Sequence, residues 1–136
     1  GFSQIKKLKK LNQNRRKIAK IYNEHLASLP IQTPAQPLNS FHVYQMYTIL
    51  VPSKIRSDLI SFFKKYNINT GVHFYPPVHR HKFYKSINKK KNKLQNTEYL
   101  SKSILSLPIY PDMTAKHALY VCEKLKIFFL NHNTFK

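Results

Sequence analysis

The chain has 136 residues, 42% of them hydrophobic and 13% aromatic, which allows one packed domain and is too short for two of ordinary size. It has no apolar run near the roughly 18 residues of a membrane span and no signal-peptide hydrophobic region, which excludes a membrane protein, and we expect a cytoplasmic protein. Because it has one cysteine, a secreted disulfide scaffold and a cysteine-based metal site are also excluded. The formal charge of +19 would attract phosphates, but 20 of the 24 basic residues are lysine, accompanied by 11 asparagines and 12 isoleucines, a bias that coding composition explains better than nucleic-acid binding does.

The first segment is predicted to be one long amphipathic helix over residues 4–29, closed by Pro30. Lysines and arginines separate apolar residues that recur with helical spacing. An extended crossover, and not a flexible linker, is predicted over residues 31–39, which contain no glycine and, with the preceding Pro30, bring three prolines together. The apolar residues of the helix are Ile5, Leu8, Leu11, Ile18, Ile21, Tyr22, Leu26 and Leu29.

The middle of the chain alternates strand and helix signals. Residues 43–51 (VYQMYTILV) are rich in β-branched and aromatic side chains and predict a strand, ended by Pro52. Ser53 is a candidate cap for a helix that reaches Tyr66. Residues 72–75 (VHFY) predict a second short strand, stopped by two consecutive prolines.

The last third begins with the lysine run at residues 89–93, most simply a solvated or disordered surface insertion. A short helix over residues 97–105 and an extended segment over 107–111 follow, and Thr114 is the predicted N-cap of a final helix. That helix is expected to bury Leu119, Val121, Cys122, Leu125, Phe128 and Phe129, with the cysteine as core filler.

This order of elements predicts an α/β fold, a small sheet covered by helices on one face. The first helix has more apolar surface than so small a sheet needs to cover it. We therefore expect a further structural element to pack against that helix.

Few catalytic constellations are possible. The five acidic residues form no convincing pair in the sequence, and two glycines cannot build a phosphate-binding loop. One dense cluster remains at residues 71–81 (GVHFYPPVHRH), which holds His73, Tyr75, His79, Arg80 and His81. The histidines are compatible with ordinary packing, with an anion or substrate-phosphate contact, or with a metal site if the proline turn folds back.

Three segments of the chain carry a family likeness: HVYQMYTI (residues 42–49), NTGVHFYPPVH (residues 69–79) and LSLPIYPDMT (residues 105–114). In this order they resemble segments of the DegT/DnrJ/EryC1/StrS family of sugar aminotransferases. The opening, from SQIKKL (residues 3–8) to NRRKIAKIY (residues 14–22), is similar to the family's long interdomain helix. The likeness covers nearly the whole chain.

The resemblance implies the α+β C-terminal small domain of a fold-type I aminotransferase, with residues 1–30 as the interdomain helix, residues 31–136 as the small domain, and the large pyridoxal-phosphate-binding domain absent. Such enzymes are usually homodimers that move an amino group from an amino acid, commonly glutamate, to a nucleotide-linked keto sugar for polysaccharide or surface-sugar synthesis. The cofactor lysine belongs to the large domain, so the resemblance assigns no catalytic or cofactor-binding residue here. It places His73, Tyr75 and His79 nearest the nucleotide sugar.

Three functional hypotheses follow. The chain is part of a catalytic enzyme and inactive alone, or a decayed remnant without activity, or a basic nucleic-acid-binding module. The last needs aromatic residues interleaved with cations on one exposed face. The aromatics fall mostly on predicted core faces, at Phe62, Phe63, Phe128 and Phe129, which disfavours nucleic acid as a partner.

Overall fold

The computed structural model describes residues 1–87 and 94–132, so the lysine run at residues 89–93 lies outside the described residues. Within these ranges, no helix is long and apolar enough to cross a membrane. The elements, in chain order, are α1 (Phe2–Leu26), β1 (Tyr47–Leu50), α2 (Arg56–Lys65), a 3-10 turn (Val78–Arg80), α3 (Lys82–Ile87), α4 (Gln95–Ser103), β2 (Ile104–Leu107) and α5 (Ala115–Asn131).

The long first helix is confirmed, and only its C-terminal half enters the core. It ends at Leu26, where a turn closed by the Leu29 amide donating to the Leu26 carbonyl at 3.0 Å replaces the last predicted turn. Its buried residues are Ile18, Ala19, Tyr22 and Leu26, spaced as one helical face requires. In the N-terminal half, the apolar residues Phe2, Ile5 and Leu8 are between 50% and 73% exposed.

The sheet is small, as predicted. β1 and β2 pair antiparallel, with Tyr47 opposite Leu107 and Leu50 opposite Ile104. Single-residue bridges add Gln32 to the outer edge of β1 and Gly71 to the outer edge of β2. The mixed α/β class is therefore confirmed.

Alternate strand residues and the three helices α1, α2 and α5 form the core. The strands contribute Tyr47, Ile49, Leu105 and Leu107, all at most 3% exposed. The Tyr22 ring of α1 packs on the Tyr47 ring with centroids 4.8 Å apart, and its hydroxyl donates to the Pro108 carbonyl at 2.7 Å. Burial raises the pKa of both phenols well above the ordinary value. These contacts join α1 to the sheet and to the chain that follows β2.

The aromatics expected on core faces do lie there, with Phe63 and Phe128 fully buried and Phe62 and Phe129 partly buried.

The final helix follows its local signals closely. The Thr114 hydroxyl accepts from the His117 amide at 3.2 Å, which confirms the predicted N-cap. Cys122 is 1% exposed and burial raises the pKa of its thiol to about 11, so the prediction of a core-filling cysteine holds. Leu119 was expected in the core and is 42% exposed, because the buried stripe runs through Ala118, Val121, Cys122, Leu125 and Phe128 and Leu119 lies beside it.

Several predicted strand limits are wrong. Residues 72–75 form a turn and not a strand, because Phe74 takes a positive φ of 62° that extended structure does not allow. The strand predicted over residues 43–51 begins only at Tyr47, after Tyr44 with a φ of 48°. The short helix ends at Ser103, two residues before its predicted limit, because the next four residues pair with β1 as β2.

The predicted cap of α2 is also wrong. The helix begins at Arg56 without a side-chain cap, three residues after Ser53. A turn intervenes in which the Ile55 amide donates to the Pro52 carbonyl at 3.1 Å. This turn places Arg56 at the start of α2.

Candidate functional site

The candidate loop, residues 71–81, leaves the edge of the sheet and leads into α3. Gly71 begins it by exchanging two backbone hydrogen bonds with Ser106, at 3.0 and 2.8 Å. The chain then turns at Phe74, passes a cis peptide before Pro76 and ends in the 3-10 turn. The loop is therefore anchored to β2 at its first residue.

His73 lies directly over Gly71. A Cβ at residue 71 would lie 2.7 Å from His73 Nε2, closer than such contacts allow. Glycine at this position therefore leaves room for the imidazole, which is exposed near the start of the loop.

His79 and Arg80 are both bonded to one carboxylate oxygen. Oε1 of Glu98 on α4 lies 2.6 Å from His79 Nε2 and 2.6 Å from Arg80 Nε. The Arg80 bond, followed by the His79 bond, lowers the pKa of Glu98 to about 2. At neutral pH this carboxylate is ionised and fastens the end of the candidate loop to α4.

Tyr75 is held on a different side, by Arg56. The guanidinium lies 5.3 Å from the centre of the Tyr75 ring, which is 60% exposed. Arg56 Nη1 donates to the carbonyls of Ser101 at 2.5 Å and Ile104 at 3.5 Å. Arg56 therefore joins the loop to the end of α4 and the start of β2.

A groove of about 540 Å³ runs between the candidate loop and helices α3 and α4. Its walls are mostly apolar, and two imidazoles and three hydroxyls supply the polar side-chain groups. His73 and His79 both line it, whereas Tyr75 does not. The lining residues include Phe74, Val78, Tyr84, Thr97, Leu100 and Ser101.

The structure thus brings two of the three predicted site residues to one groove and the third to Arg56. His81 makes a contact inside the loop, with Nε2 3.0 Å from the Pro76 carbonyl oxygen. Across residues 1–87 and 94–132, no three His, Cys, Asp or Glu side chains are grouped to hold a metal ion. His73 and His79 therefore share the groove while His81 is bonded inside the loop, and the three imidazoles do not group as metal ligands.

Sequence reasoning missed both anchors of the loop. Glu98 is 19 residues from its partner His79, and Arg56 is likewise 19 residues from Tyr75. The one available signal was the small number of carboxylates, because with 24 basic and 5 acidic residues each acidic side chain has many possible cationic partners. That count could mark Glu98 as a residue of interest without naming its partner.

The sequence of this chain matches one family of proteins over most of its length. The model of the DegT/DnrJ/EryC1/StrS aminotransferase family matches residues 1–126. An uncharacterised protein of Methanocaldococcus jannaschii is 38% identical over 132 residues, a match that covers 93% of this chain and 34% of the relative.

Several solved structures share the fold of this chain. DesV of S. venezuelae, determined in complex with a ketimine intermediate, superposes with a TM-score of 0.84 at 27% identity, covering 91% of this chain and 33% of DesV. The aminotransferase TlmJ of Streptoalloteichus hindustanus gives a TM-score of 0.88 at 18% identity, covering 98% of this chain and 36% of TlmJ. PseC of Helicobacter pylori, an aminotransferase involved in pseudoaminic acid biosynthesis, gives 0.85 at 24%, covering 96% of this chain and 36% of PseC. The chain therefore spans about a third of the length of these relatives.

Proposed function

The chain belongs to the DegT/DnrJ/EryC1/StrS aminotransferase family, and from that premise we propose that it is the C-terminal part of a pyridoxal-phosphate-dependent enzyme that aminates a nucleotide-linked keto sugar. In this proposal residues 1–30 form the interdomain helix and residues 31–136 the small domain. The amino donor is an amino acid, and the working enzyme is a homodimer. The product would serve polysaccharide or surface-sugar synthesis.

The residues that the structure describes do not by themselves supply a pyridoxal phosphate site. A pyridoxal phosphate site needs a sheltered lysine for the Schiff base and donors that surround the phosphate. The buried polar residues of the described ranges are three serines, Ser101, Ser103 and Ser106, with no lysine among them. We assign cofactor binding to the part of the enzyme that corresponds to the other two thirds of the relatives' length.

One observation carries the substrate assignment: His73 and His79 line the same groove, on the loop whose sequence resembles the family's substrate side. Imidazole nitrogens can hydrogen-bond to a sugar hydroxyl or a phosphate oxygen. The Tyr75 ring, exposed beside the Arg56 cation, supplies an aromatic and cationic surface next to the groove. We assign His73, Tyr75 and His79 to substrate binding.

The first helix supports the assignment of a missing partner domain. Phe2, Ile5 and Leu8 recur every three residues on the exposed half of α1. Burying apolar surface contributes about 25 cal/mol per Å², so three such side chains contribute several kcal/mol once covered. In the complete enzyme this face would pack against the large domain.

The test uses a complete enzyme, made either from the native gene or by joining this chain to the N-terminal two thirds of the M. jannaschii relative. The assay follows amino transfer from glutamate to a nucleotide-linked keto sugar. His73→Ala and His79→Ala should each raise the sugar KM, because losing one contact worth about 1.5–3 kcal/mol weakens binding roughly 10- to 150-fold.

The matched control is His117→Ala, which removes an exposed imidazole from α5. That variant should keep the wild-type KM. If the two loop variants lose melting temperature but keep wild-type KM and kcat, the loop histidines are packing residues and the assignment fails. If the complete enzyme shows no amino transfer at all, the proposed reaction is wrong.

A further inference from the structure

The His79 ring lies between an acid and the groove. Its Nε2 atom is 2.6 Å from Glu98 Oε1, and the ring is among the groove's lining residues. Its side chain is 20% exposed, so most of the ring is fixed by its neighbours. The Nε2 side of the imidazole is therefore bonded to α4, while the ring still borders the groove.

The carboxylate decides which ring nitrogen carries the proton. An ionised carboxylate only accepts hydrogen bonds, so at this distance the His79 Nε2 atom must be the donor. In the neutral ring a single nitrogen is protonated, and Nδ1 is then left as an acceptor. Arg80 Nε donates to the same Glu98 oxygen at 2.6 Å, so the carboxylate has a second, charged partner that keeps it in place.

We infer that Glu98 is a positioning residue: it holds His79 as the Nε2–H tautomer and leaves Nδ1 as the one nitrogen of that ring free to accept a hydrogen bond from a ligand in the groove. The ligand class rests on the proposed function and is a sugar hydroxyl. Glu98 itself contacts no substrate in this scheme. Its effect passes through the orientation and tautomer of His79.

A purely structural role predicts something different. If Glu98 only fastens the loop to α4, the Arg80 bond suffices and the tautomer of His79 is incidental. Arg80→Met removes that bond and leaves the Glu98 contact with His79. Comparing Glu98→Gln and Glu98→Ala with Arg80→Met therefore separates positioning from fastening.

The measurement is a nitrogen–proton correlation spectrum of the histidine rings in this chain, recorded without ligand at alkaline pH, where imidazoles are neutral. In the wild type His79 should show a protonated Nε2 and a bare Nδ1, with that tautomer favoured roughly tenfold or more by the bond to a charged acceptor. Arg80→Met should keep this pattern. Glu98→Ala should reduce it to the modest Nε2–H preference that a solvated neutral histidine already has.

Glu98→Gln should give an intermediate spectrum, because its amide oxygen accepts from Nε2 more weakly than a carboxylate does. The matched control is Glu123→Gln, which removes a surface acid of α5 paired with Lys124 and should leave the His79 signals unchanged. Backbone amide spectra of all variants should retain the α5 signals, which shows that they fold.

A wild-type His79 that is protonated at Nδ1 would overturn the inference. So would a preference of full wild-type strength in Glu98→Ala, or a loss of the wild-type preference in Arg80→Met. Because the tautomer is read without substrate, these results leave the proposed function standing. Conversely, an unaltered sugar KM in His79→Ala of the complete enzyme would refute the substrate role and leave the tautomer assignment intact.

Discussion

Replacing Arg56 by alanine should loosen the attachment of the candidate loop to α4. The half-buried guanidinium donates to the carbonyls of Ser101 and Ile104 and lies 5.3 Å from the Tyr75 ring centre. The Ser101 carbonyl belongs to the last turn of α4, where the helix itself offers no donor, and the Ile104 carbonyl lies at the start of β2. Alanine removes both the donor for these carbonyls and the cation beside the ring.

The size of the effect follows from those contacts. A hydrogen bond from a charged group contributes about 1.5–3 kcal/mol, and a cation–π contact at an exposed ring about 0.5–1 kcal/mol. Since Arg56 is only half-buried, we expect Arg56→Ala to lower the free energy of unfolding by roughly 2–3 kcal/mol. For a chain of this size, at roughly 4 °C per kcal/mol, the melting temperature should fall by about 8–12 °C.

Thermal and urea unfolding of Arg56→Ala, Tyr75→Leu and the double variant measure the contributions of the hydrogen bonds and of the ring contact to stability. The coupling between the two substitutions should be about 0.5–1 kcal/mol, the share that belongs to the ring contact. The control is Lys54→Ala, a nearby exposed cation whose loss should change stability by less than about 0.5 kcal/mol. Arg56→Ala with a melting temperature equal to that of Lys54→Ala would refute the bridging role.

Three further outcomes are expected. Tyr22→Phe removes a buried hydroxyl donor and should cost about 1–3 kcal/mol of stability in a urea titration, whereas Tyr99→Phe, whose ring is 58% exposed, should cost almost nothing. The pKa of Glu98 lies near 2 when folded and near its ordinary value of about 4.3 when unfolded, so its stabilisation is complete above about pH 4.3 and lost as pH falls toward 2. Melts of the wild type and Glu98→Gln should therefore differ at neutral pH and converge near pH 2; a gap that stays constant would contradict this. We also expect the isolated chain to self-associate through the exposed side chains Phe2, Ile5 and Leu8 of α1. Leu8→Gln should weaken that self-association in sedimentation at an unchanged melting temperature, while Lys10→Gln should not. Equal association of both variants would show that these apolar side chains are not the contact.

The features that local rules determine were predictable from the sequence. The helical spacing of apolar residues predicts α1 and α5, and Thr114 marks the start of α5 because a cap bonds to an amide three residues away. The small sheet and the loop with its histidines also followed from composition and pattern. The buried half of α1 did not, because the N-terminal and C-terminal halves carry similar apolar spacing and only packing against α5 and the sheet distinguishes them.

The sequence by itself determined the class of fold, the family resemblance and the candidate residues His73, Tyr75 and His79, since these depend on neighbours in the chain. The tertiary structure alone decided that His73 and His79 share a groove, that Tyr75 lies beside Arg56, and that Glu98 holds His79. Each of these partnerships depends on where the loop meets α2, α3 and α4. Hydrogen bonds and ring contacts act over a few ångströms of space whatever the separation along the chain, so residues 19 positions apart become partners only in the folded structure.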